Sequence, residues 1–156
     1  MIAVVADTHL PRGSRTLPVQ CLELLAEADL VVHAGDFTAC SVLSDLEALG
    51  VVEAVHGNMD DHELRRGLPD RTVVAAEGLT IGVVHDAGPA PGRGERLCAA
   101  FPGCDLVVYG HSHVPELSCC AGVWILNPGS PTERRRAPSH TMAVVRDGIP
   151  ELVHLT

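Results

Sequence analysis

Short apolar runs separated by polar segments recur along the 156-residue chain. They are rich in β-branched residues, which pack well on the pleated surface of a strand. A short apolar run that is bounded by turn residues is typical of a buried strand. We therefore predict strands over residues 2–6, 30–32, 51–55, 72–75, 79–84, 106–109 and 123–126.

Apolar residues recur at helical spacing in the segments that follow the first two predicted strands. Thr16 and Pro18 are typical of the start of the first helix, and Gly50 is typical of the end of the second. We predict helices over residues 17–28 and 42–49, a third that begins near Asp60, and a fourth over residues 94–100.

The order of these elements indicates the fold class. Strands and helices alternate early in the chain, as they do in βαβ units. Glu77-Gly78 and Asp147-Gly148 each lie between strand-like runs, which is typical of hairpin turns and makes part of the sheet antiparallel. We predict an α/β fold with mixed sheets. We expect residues 1–156 to form one domain, because the length and the apolar content of 46% suit a single core.

The charge of the chain restricts its partners. Twenty acidic residues stand against eleven basic ones, all arginines, and the formal net charge is -9. This balance argues against a surface that binds a phosphate backbone, so we expect no stable complex with nucleic acid. An acidic protein that handles a phosphate needs local positive charge, which divalent cations can supply.

The N-terminal sequence and the cysteines bear on location. Met1 leads directly into the first predicted strand, without the basic segment and apolar stretch of a secretory signal. No apolar run is long enough to span a bilayer. The six cysteines include no CxxC pair and are interpreted as reduced thiols of the core. We therefore expect a cytoplasmic protein that does not associate with a membrane.

Side chains that can bind a metal directly follow five of the predicted strands. Ligands of open α/β sheets bind at the carboxyl ends of strands, so these side chains can converge on one pocket. Asp-x-His and His-x-His spacings place two side chains on the same side of an extended segment. Glycines before Asp36, Asn58 and His111 would let the backbone turn and approach an ion closely. The predicted metal ligands are Asp7, His9, Asp36, Asn58, His85, His111 and His113.

The chain resembles the calcineurin-like metallophosphoesterase superfamily in a series of motifs that occur in order through nearly its whole length. The small size and a further, more distal loop are similar to those of the compact YfcE-type phosphodiesterases of bacteria and archaea. The resemblance implies a four-layer α/β/β/α sandwich with two mixed β-sheets flanked by helices. The motifs are Asp7-Thr8-His9, Gly35-Asp36, Gly57-Asn58-Met59-Asp60, His85 and Gly110-His111-Ser112-His113, and the distal loop is Asn127-Pro128-Gly129-Ser130.

The resemblance also assigns roles to these residues. It implies two divalent ions, with Mn expected and with Ni, Fe, Zn or Co also suited to carboxylate, amide and imidazole donors. It implies hydrolysis of a small or nucleotide-like phosphodiester by a metal-bridging hydroxide, with Asp36, Asn58 and His111 as catalytic residues. Asp7, His9 and His113 would hold the first ion, Asn58, His85 and His111 the second, and Asp36 would bridge both.

Several polar residues beside these motifs have two interpretations. His33 and His56 could orient ligands or donate protons, but packing roles are favoured. Asp60 could support its neighbours or cap the following helix, and the two roles are equally compatible with the sequence. Asp86 could orient His85 or face water, and the latter is favoured.

Arginines near the motifs could bind the oxygens of a substrate phosphate. The candidates are Arg12 and the run of Arg134, Arg135 and Arg136, and we select Arg12 and Arg134 as substrate-binding residues. For the run, a solvated surface loop is the favoured alternative. Met59 occupies the position after Asn58 where the larger phosphoprotein phosphatases have histidine. A thioether cannot donate a proton, so we expect the rate to depend strongly on the pKa of the leaving group.

The sequence is also compatible with other functions. A phosphomonoesterase would need the same metals. A non-catalytic scaffold resembling the retromer subunit is disfavoured, because all seven positions here carry competent ligands. A homo-oligomer is compatible with the resemblance. A generic nucleotide-binding domain is excluded, since neither a GxGxxG nor a GKS/T loop follows the first strand.

Overall fold

Ten strands and four helices make up the computed structural model, which describes residues 1–156. In chain order the elements are β1 (Ile2–Val5), α1 (Val19–Glu27), β2 (Leu30–His33), α2 (Cys40–Glu47), β3 (Val52–Ala54), α3 (His62–Gly67), β4 (Arg71–Ala76), β5 (Leu79–Val84), α4 (Arg93–Ala100), β6 (Leu106–Val108), β7 (Glu116–Cys120), β8 (Val123–Asn127), β9 (His140–Arg146) and β10 (Ile149–Leu155). None of the helices has the length and apolar content needed to cross a bilayer.

The strands form two mixed five-stranded sheets. The first sheet has the order β10-β9-β1-β2-β3, with β1, β2 and β3 parallel and with β9 and β10 in a hairpin. The second sheet has the order β4-β5-β6-β8-β7, with β5, β6 and β8 parallel and with hairpins at both edges. The predicted turn at Glu77-Gly78 connects β4 to β5, and the predicted turn at Asp147-Gly148 connects β9 to β10.

The side chains of β1 alternate between the two faces of the first sheet, and both faces are buried. Ile2 and Val4 lie in a core cluster that also contains residues of β5, β6 and β8, so this cluster fills the space between the sheets. Ala3 and Val5 point the other way and pack with residues of α1, α2 and α3. Leu97 of α4 packs on the outer face of the second sheet. The four-layer α/β/β/α sandwich implied by the resemblance is therefore confirmed.

The start of α3 separates the roles of two neighbouring acids. The backbone N–H of Leu64 donates to the Asp61 carboxylate at 2.9 Å, so Asp61 is the N-terminal cap. The alternative in which Asp60 caps this helix is wrong. Asp60 is buried and contacts the ligand loops instead.

Two sequence-based expectations fail at the edge of the second sheet. β7 was not predicted, because an edge strand with Glu116 and Ser118 contains no continuous apolar run. All six cysteines are free, but only Cys21 and Cys104 are buried. Cys119 is exposed on β7, so its assignment to the core was wrong.

Arg93 joins α4 to β7 through a small polar cluster. Its guanidinium donates to the Tyr109 hydroxyl at 2.7 Å and to the Glu116 carboxylate at 3.1 Å. The Tyr109 hydroxyl also donates to Glu116. Burial opposes ionisation of Glu116, but hydrogen bonds from Tyr109, Ser118 and Arg93 hold its pKa below the ordinary value of 4.5.

Candidate metal centre

The predicted ligands lie in loops that directly follow the parallel strands of both sheets. Five of the seven have a left-handed backbone conformation, which is unfavourable for residues with a Cβ atom. Surrounding contacts must maintain this conformation, and such strain concentrates at functional sites. The φ angles are 55° at Asp7, 45° at His9, 61° at Asp36, 68° at His111 and 60° at His113.

Asp7, His9 and His113 form a first group whose donor atoms all lie within 4.8 Å of one another. The two Nε2 atoms of the histidines are 3.2 Å apart. The Asp7 Oδ1 atom is 3.4 Å from His113 Nε2 and 3.8 Å from His9 Nε2. All three side chains are buried. Three donors at these separations can surround one ion.

Asp36, His85 and His111 form a second group with the same limit of 4.8 Å between donors. Asn58 joins it, because its Oδ1 atom is 3.1 Å from His85 Nε2 and 3.0 Å from His111 Nδ1. Asn58 and His111 are exposed, whereas Asp36 and His85 are buried. The second group therefore borders solvent.

The Asp36 carboxylate lies between the two groups. Its Oδ2 atom is 3.6 Å from His9 Nε2 in the first group and 3.3 Å from His85 Nε2 in the second. Its Oδ1 atom accepts a hydrogen bond from the Met59 N–H at 2.8 Å, which orients the carboxylate. This is the position that a bridging ligand requires.

Backbone carbonyls fix the orientation of two histidines. His85 Nδ1 donates to the Ala34 carbonyl at 2.7 Å, and His113 Nδ1 donates to the Glu133 carbonyl at 2.6 Å. Each bond leaves the Nε2 lone pair directed into its group, which is how metal-binding histidines are commonly held.

Glycine is required where the two ligand loops meet. A Cβ atom on Gly57 would lie 2.0 Å from the Asp36 Oδ1 atom, so no other residue fits there without displacing this ligand. The reason is close approach, since Gly57 is not among the glycines of positive φ. The expected turning role applies instead to Gly35, whose φ is 89°.

Polar residues that the sequence did not mark as functional hold the first ligand loop. Ser130 Oγ donates to the Asp7 carbonyl at 2.7 Å, and Thr132 Oγ1 donates to the Thr8 carbonyl at 2.6 Å. In the sequence, Ser130 stands out only as part of the distal loop Asn127-Pro128-Gly129-Ser130. Thr132 gave no signal, because its partner is remote in sequence.

Asp60 supports both loops of the second group. Its carboxylate accepts hydrogen bonds from the Gly57 N–H and from the Thr38 N–H, each at 2.7 Å. These bonds join the segment after β2 to the segment after β3. The supporting role is thus the one that the structure favours for Asp60.

Asp7 shows that the donors fit cations. Both carboxylate oxygens are buried and have no hydrogen-bond partner. Burial, with a further contribution from the Asp36 charge, raises the pKa of Asp7 to about 7. An unpartnered buried carboxylate is costly, and a divalent cation would supply the missing interaction. The two groups can therefore hold one ion each, with Asp36 between them.

The other histidines and Asp86 differ in their contacts. Buried His33 accepts the Gly35 N–H through Nδ1, its Nε2 lies 3.2 Å from Thr8 Oγ1, and burial lowers its pKa to about 3. This supports the packing role. His56 Nε2 lies 2.7 Å from the Asp70 carboxylate. Asp86 is exposed and accepts the Gly88 N–H, which supports the solvent-facing interpretation.

The structure does not bring the two named arginines to the ligand groups. Arg12 lies 3.6 Å from the Glu133 carboxylate. Arg134 donates to the backbone carbonyl of Ala137 at 3.1 Å. Their assignment to substrate binding stays a prediction. Arg135, the next residue in the run, does lie beside a ligand, since its guanidinium is 3.5 Å from the His111 carbonyl oxygen.

Comparison with known proteins agrees with this geometry. Residues 1–146 match the sequence model of the calcineurin-like phosphoesterase superfamily domain. A probable metallophosphoesterase of Methanothermobacter thermautotrophicus is 33% identical over 154 residues, which cover 95% of this chain and 87% of that protein.

Solved structures share the fold at lower identity. Vps29 of Entamoeba histolytica complexed with zinc has a TM-score of 0.76 at 23% identity, with 98% of both chains covered. A novel archaeal phosphodiesterase has a TM-score of 0.74 at 20% identity, with 99% of both chains covered. The sequence match and the arrangement of the ligands lead to one conclusion: the chain belongs to the calcineurin-like phosphoesterase superfamily.

Proposed function

We propose that the chain is a dinuclear metal-dependent phosphodiesterase that hydrolyses a small or nucleotide-like phosphodiester. The position of Asp36 carries this proposal. One of its oxygens lies 3.6 Å from a donor of the first group and 3.3 Å from a donor of the second. A carboxylate shared in this way supports two adjacent ions rather than one.

The residues of the centre have different roles. Two bound divalent ions, with Mn expected, would supply Lewis acidity and a water of lowered pKa. Asp36 keeps the two groups together. Asn58 and His111 are the exposed ligands, so a substrate reaches the centre from their side. This exposure supports direct contact of Asn58 and His111 with the substrate.

We assign Arg135 to the binding of a non-bridging phosphate oxygen. Its guanidinium lies beside the His111 backbone, and its positive charge contributes to lowering the pKa of His113 and opposes the rise at Asp7. The backbone of Arg135 has a φ of 45°, a conformation that is strained for a residue with a Cβ atom, and such strain concentrates at functional sites. A guanidinium suits a phosphate because two of its N–H groups can bind in parallel.

A cavity beside the second group supports a diester rather than a monoester. Asn58, His85 and His111 form part of its lining, so it opens next to the exposed ligands. A diester carries two organic groups, and the cavity gives one of them a place beside the centre. A monoester whose leaving group points away would leave this space empty.

The test is a pair of assays on protein loaded with Mn²⁺ and, separately, with Ni²⁺, Zn²⁺, Fe²⁺ or Co²⁺. We expect higher kcat/KM for bis-p-nitrophenyl phosphate than for p-nitrophenyl phosphate. Asp36→Asn should lower kcat/KM at least about 100-fold, because loss of even an outer partner of a metal ligand costs 10–100-fold. Asp45→Asn, on the exposed face of α2, is the matched control and should retain activity.

Each alternative function gives a different result. Preference for the monoester with every metal would favour a phosphomonoesterase. Binding of two metal ions without cleavage of any phosphoester in a broad panel would refute the enzyme and favour a non-catalytic scaffold.

A further inference from the structure

A cavity of about 310 Å³ adjoins the second ligand group. Water occupies about 30 Å³ per molecule in the liquid, so the volume suits a group of about ten non-hydrogen atoms. Only one of the nine lining residues, Val84, is hydrophobic. The lining residues are His56, Gly57, Asn58, Arg65, Asp70, Val84, His85, Asp86 and His111.

The lining of this cavity presents charges of both signs. The Arg65 guanidinium donates to the Asn58 carbonyl at 2.9 Å, which holds it at the border of the centre. The Asp70 carboxylate lies 2.7 Å from His56 Nε2. Asp86 is exposed, and one of its oxygens accepts the Gly88 N–H at 2.8 Å.

These charges exclude two classes of occupant. A second phosphate or a carboxylate would meet Asp70 and Asp86 in the same cavity. A cationic group would meet Arg65, while Asp70 is already engaged by His56 and one oxygen of Asp86 by the Gly88 N–H. Hydrogen-bond donors and acceptors of both signs in one lining favour an uncharged polar occupant, whose hydroxyls both donate and accept hydrogen bonds. The lining contains no Phe, Tyr or Trp against which an aryl ring would stack.

We propose that this cavity binds the alcohol portion of the phosphoester substrate, and that this portion is an uncharged aliphatic group with hydroxyls, such as a polyol or a sugar. The proposal rests on the proposed function, because it assumes that the phosphate lies on the metal centre. It adds the chemical class of the organic group and the residues that select it. Asp70, Asp86 and Arg65 are those residues.

The test compares ligands that differ only in the group that enters the cavity. Isothermal titration of Mn²⁺-loaded protein with sn-glycerol 3-phosphate and with propyl phosphate isolates the effect of two hydroxyls. We expect glycerol 3-phosphate to bind about tenfold tighter, as one or two net hydrogen bonds would give. Phosphoethanolamine and 2-phosphoglycolate, which carry a cation and a second anion, should bind more weakly than glycerol 3-phosphate.

Variants identify the residues that cause the preference for glycerol 3-phosphate over propyl phosphate. Asp86→Ala and Asp70→Ala should each reduce the ratio of the two dissociation constants, while Asp45→Ala should preserve it. Metal stoichiometry and circular dichroism of each variant verify that the centre and the fold persist. Equal affinity of the wild-type protein for glycerol 3-phosphate and propyl phosphate would overturn the proposal, whatever the variants do. Tighter binding of phosphoethanolamine or 2-phosphoglycolate would also overturn it.

This binding test is independent of turnover. If diesters are cleaved but hydroxyls have no effect on affinity, the cavity assignment fails and the phosphodiesterase proposal stands. In the opposite outcome, no phosphoester is cleaved, but the protein prefers ligands with hydroxyls and the cavity variants lose this preference. In that case the cavity assignment stands and the phosphodiesterase proposal fails.

Discussion

The carboxylate of Asp60 accepts a hydrogen bond from the backbone N–H of Asp36 at 3.1 Å. The same carboxylate oxygen accepts the Gly57 N–H, so one atom holds two ligand loops that follow different strands. Asp60 is only 6% exposed, and its replacement would leave these donors buried without a partner.

Asp60→Ala should therefore weaken both the fold and the centre. We expect a loss of about 2–4 kcal/mol in the free energy of unfolding, from several hydrogen bonds to a charged acceptor. Affinity for the second metal ion should fall about 10–100-fold. Urea denaturation and metal titration measure the two effects. Asp61→Ala removes the neighbouring helix cap, should cost about 1 kcal/mol and should leave metal affinity unchanged.

Single ligand variants should separate the two groups. His113→Ala should reduce bound metal from two ions to one per chain through the first group, and His85→Ala should do so through the second. Asp36→Asn should weaken both ions because its carboxylate lies between the groups. Elemental analysis after desalting gives the stoichiometry. Retention of two tightly bound ions by both histidine variants would contradict this assignment.

Replacement of arginines tests which of them contacts phosphate. Arg135→Ala should raise the dissociation constant of inorganic phosphate for the metal-loaded protein about tenfold, as loss of a charge-assisted hydrogen bond predicts. Arg136→Ala, its exposed neighbour, is the matched control and should change it less than about twofold. A larger effect of Arg134→Ala would instead support the choice made from the sequence.

The residue after Asn58 bears on the leaving group. Met59 is 56% exposed and its thioether cannot donate a proton. We expect kcat to decrease steeply as the pKa of the leaving alcohol rises across a series from aryl to alkyl diesters. Met59→His should make this dependence shallower if the imidazole reaches the leaving oxygen. A flat series for the wild-type protein, with the chemical step shown to limit the rate, would refute the expectation.

Glu116 should contribute to acid sensitivity. Hydrogen bonds from Tyr109, Ser118 and Arg93 hold its folded-state pKa below 4.5. A depressed pKa contributes stability that is fully present above the unfolded-state pKa and is lost as the pH falls through the folded-state pKa.

The corresponding variant isolates this contribution. Glu116→Gln should be less stable than the wild-type protein at pH 6, and the difference should shrink as the pH falls below about 4.5. Urea midpoints across this range measure it. Glu47→Gln, on the exposed face of α2, should follow the wild-type dependence. A difference that grows on acidification would contradict the assigned direction.

Much of the fold was predictable because the burial of a strand or helix determines the local pattern of its apolar residues. β1 is apolar throughout since helices cover one of its faces and the second sheet covers the other. β7 was missed because an edge strand with one open side lacks this pattern. Asp61 was not distinguished from Asp60 because both precede the same helix, and only the backbone geometry decides which carboxylate reaches Leu64.

The sequence by itself determined the chemical types of the ligands and their order after successive strands, because strand ends and short motifs are local features. Tertiary structure alone decided that Asp36 lies between the two groups and that Arg135, rather than Arg134, lies beside His111. It also formed the cavity of Arg65, Asp70 and Asp86. These relationships depend on contacts between remote segments, such as the bond from Ser130 to Asp7 across 123 positions, and no local pattern specifies them.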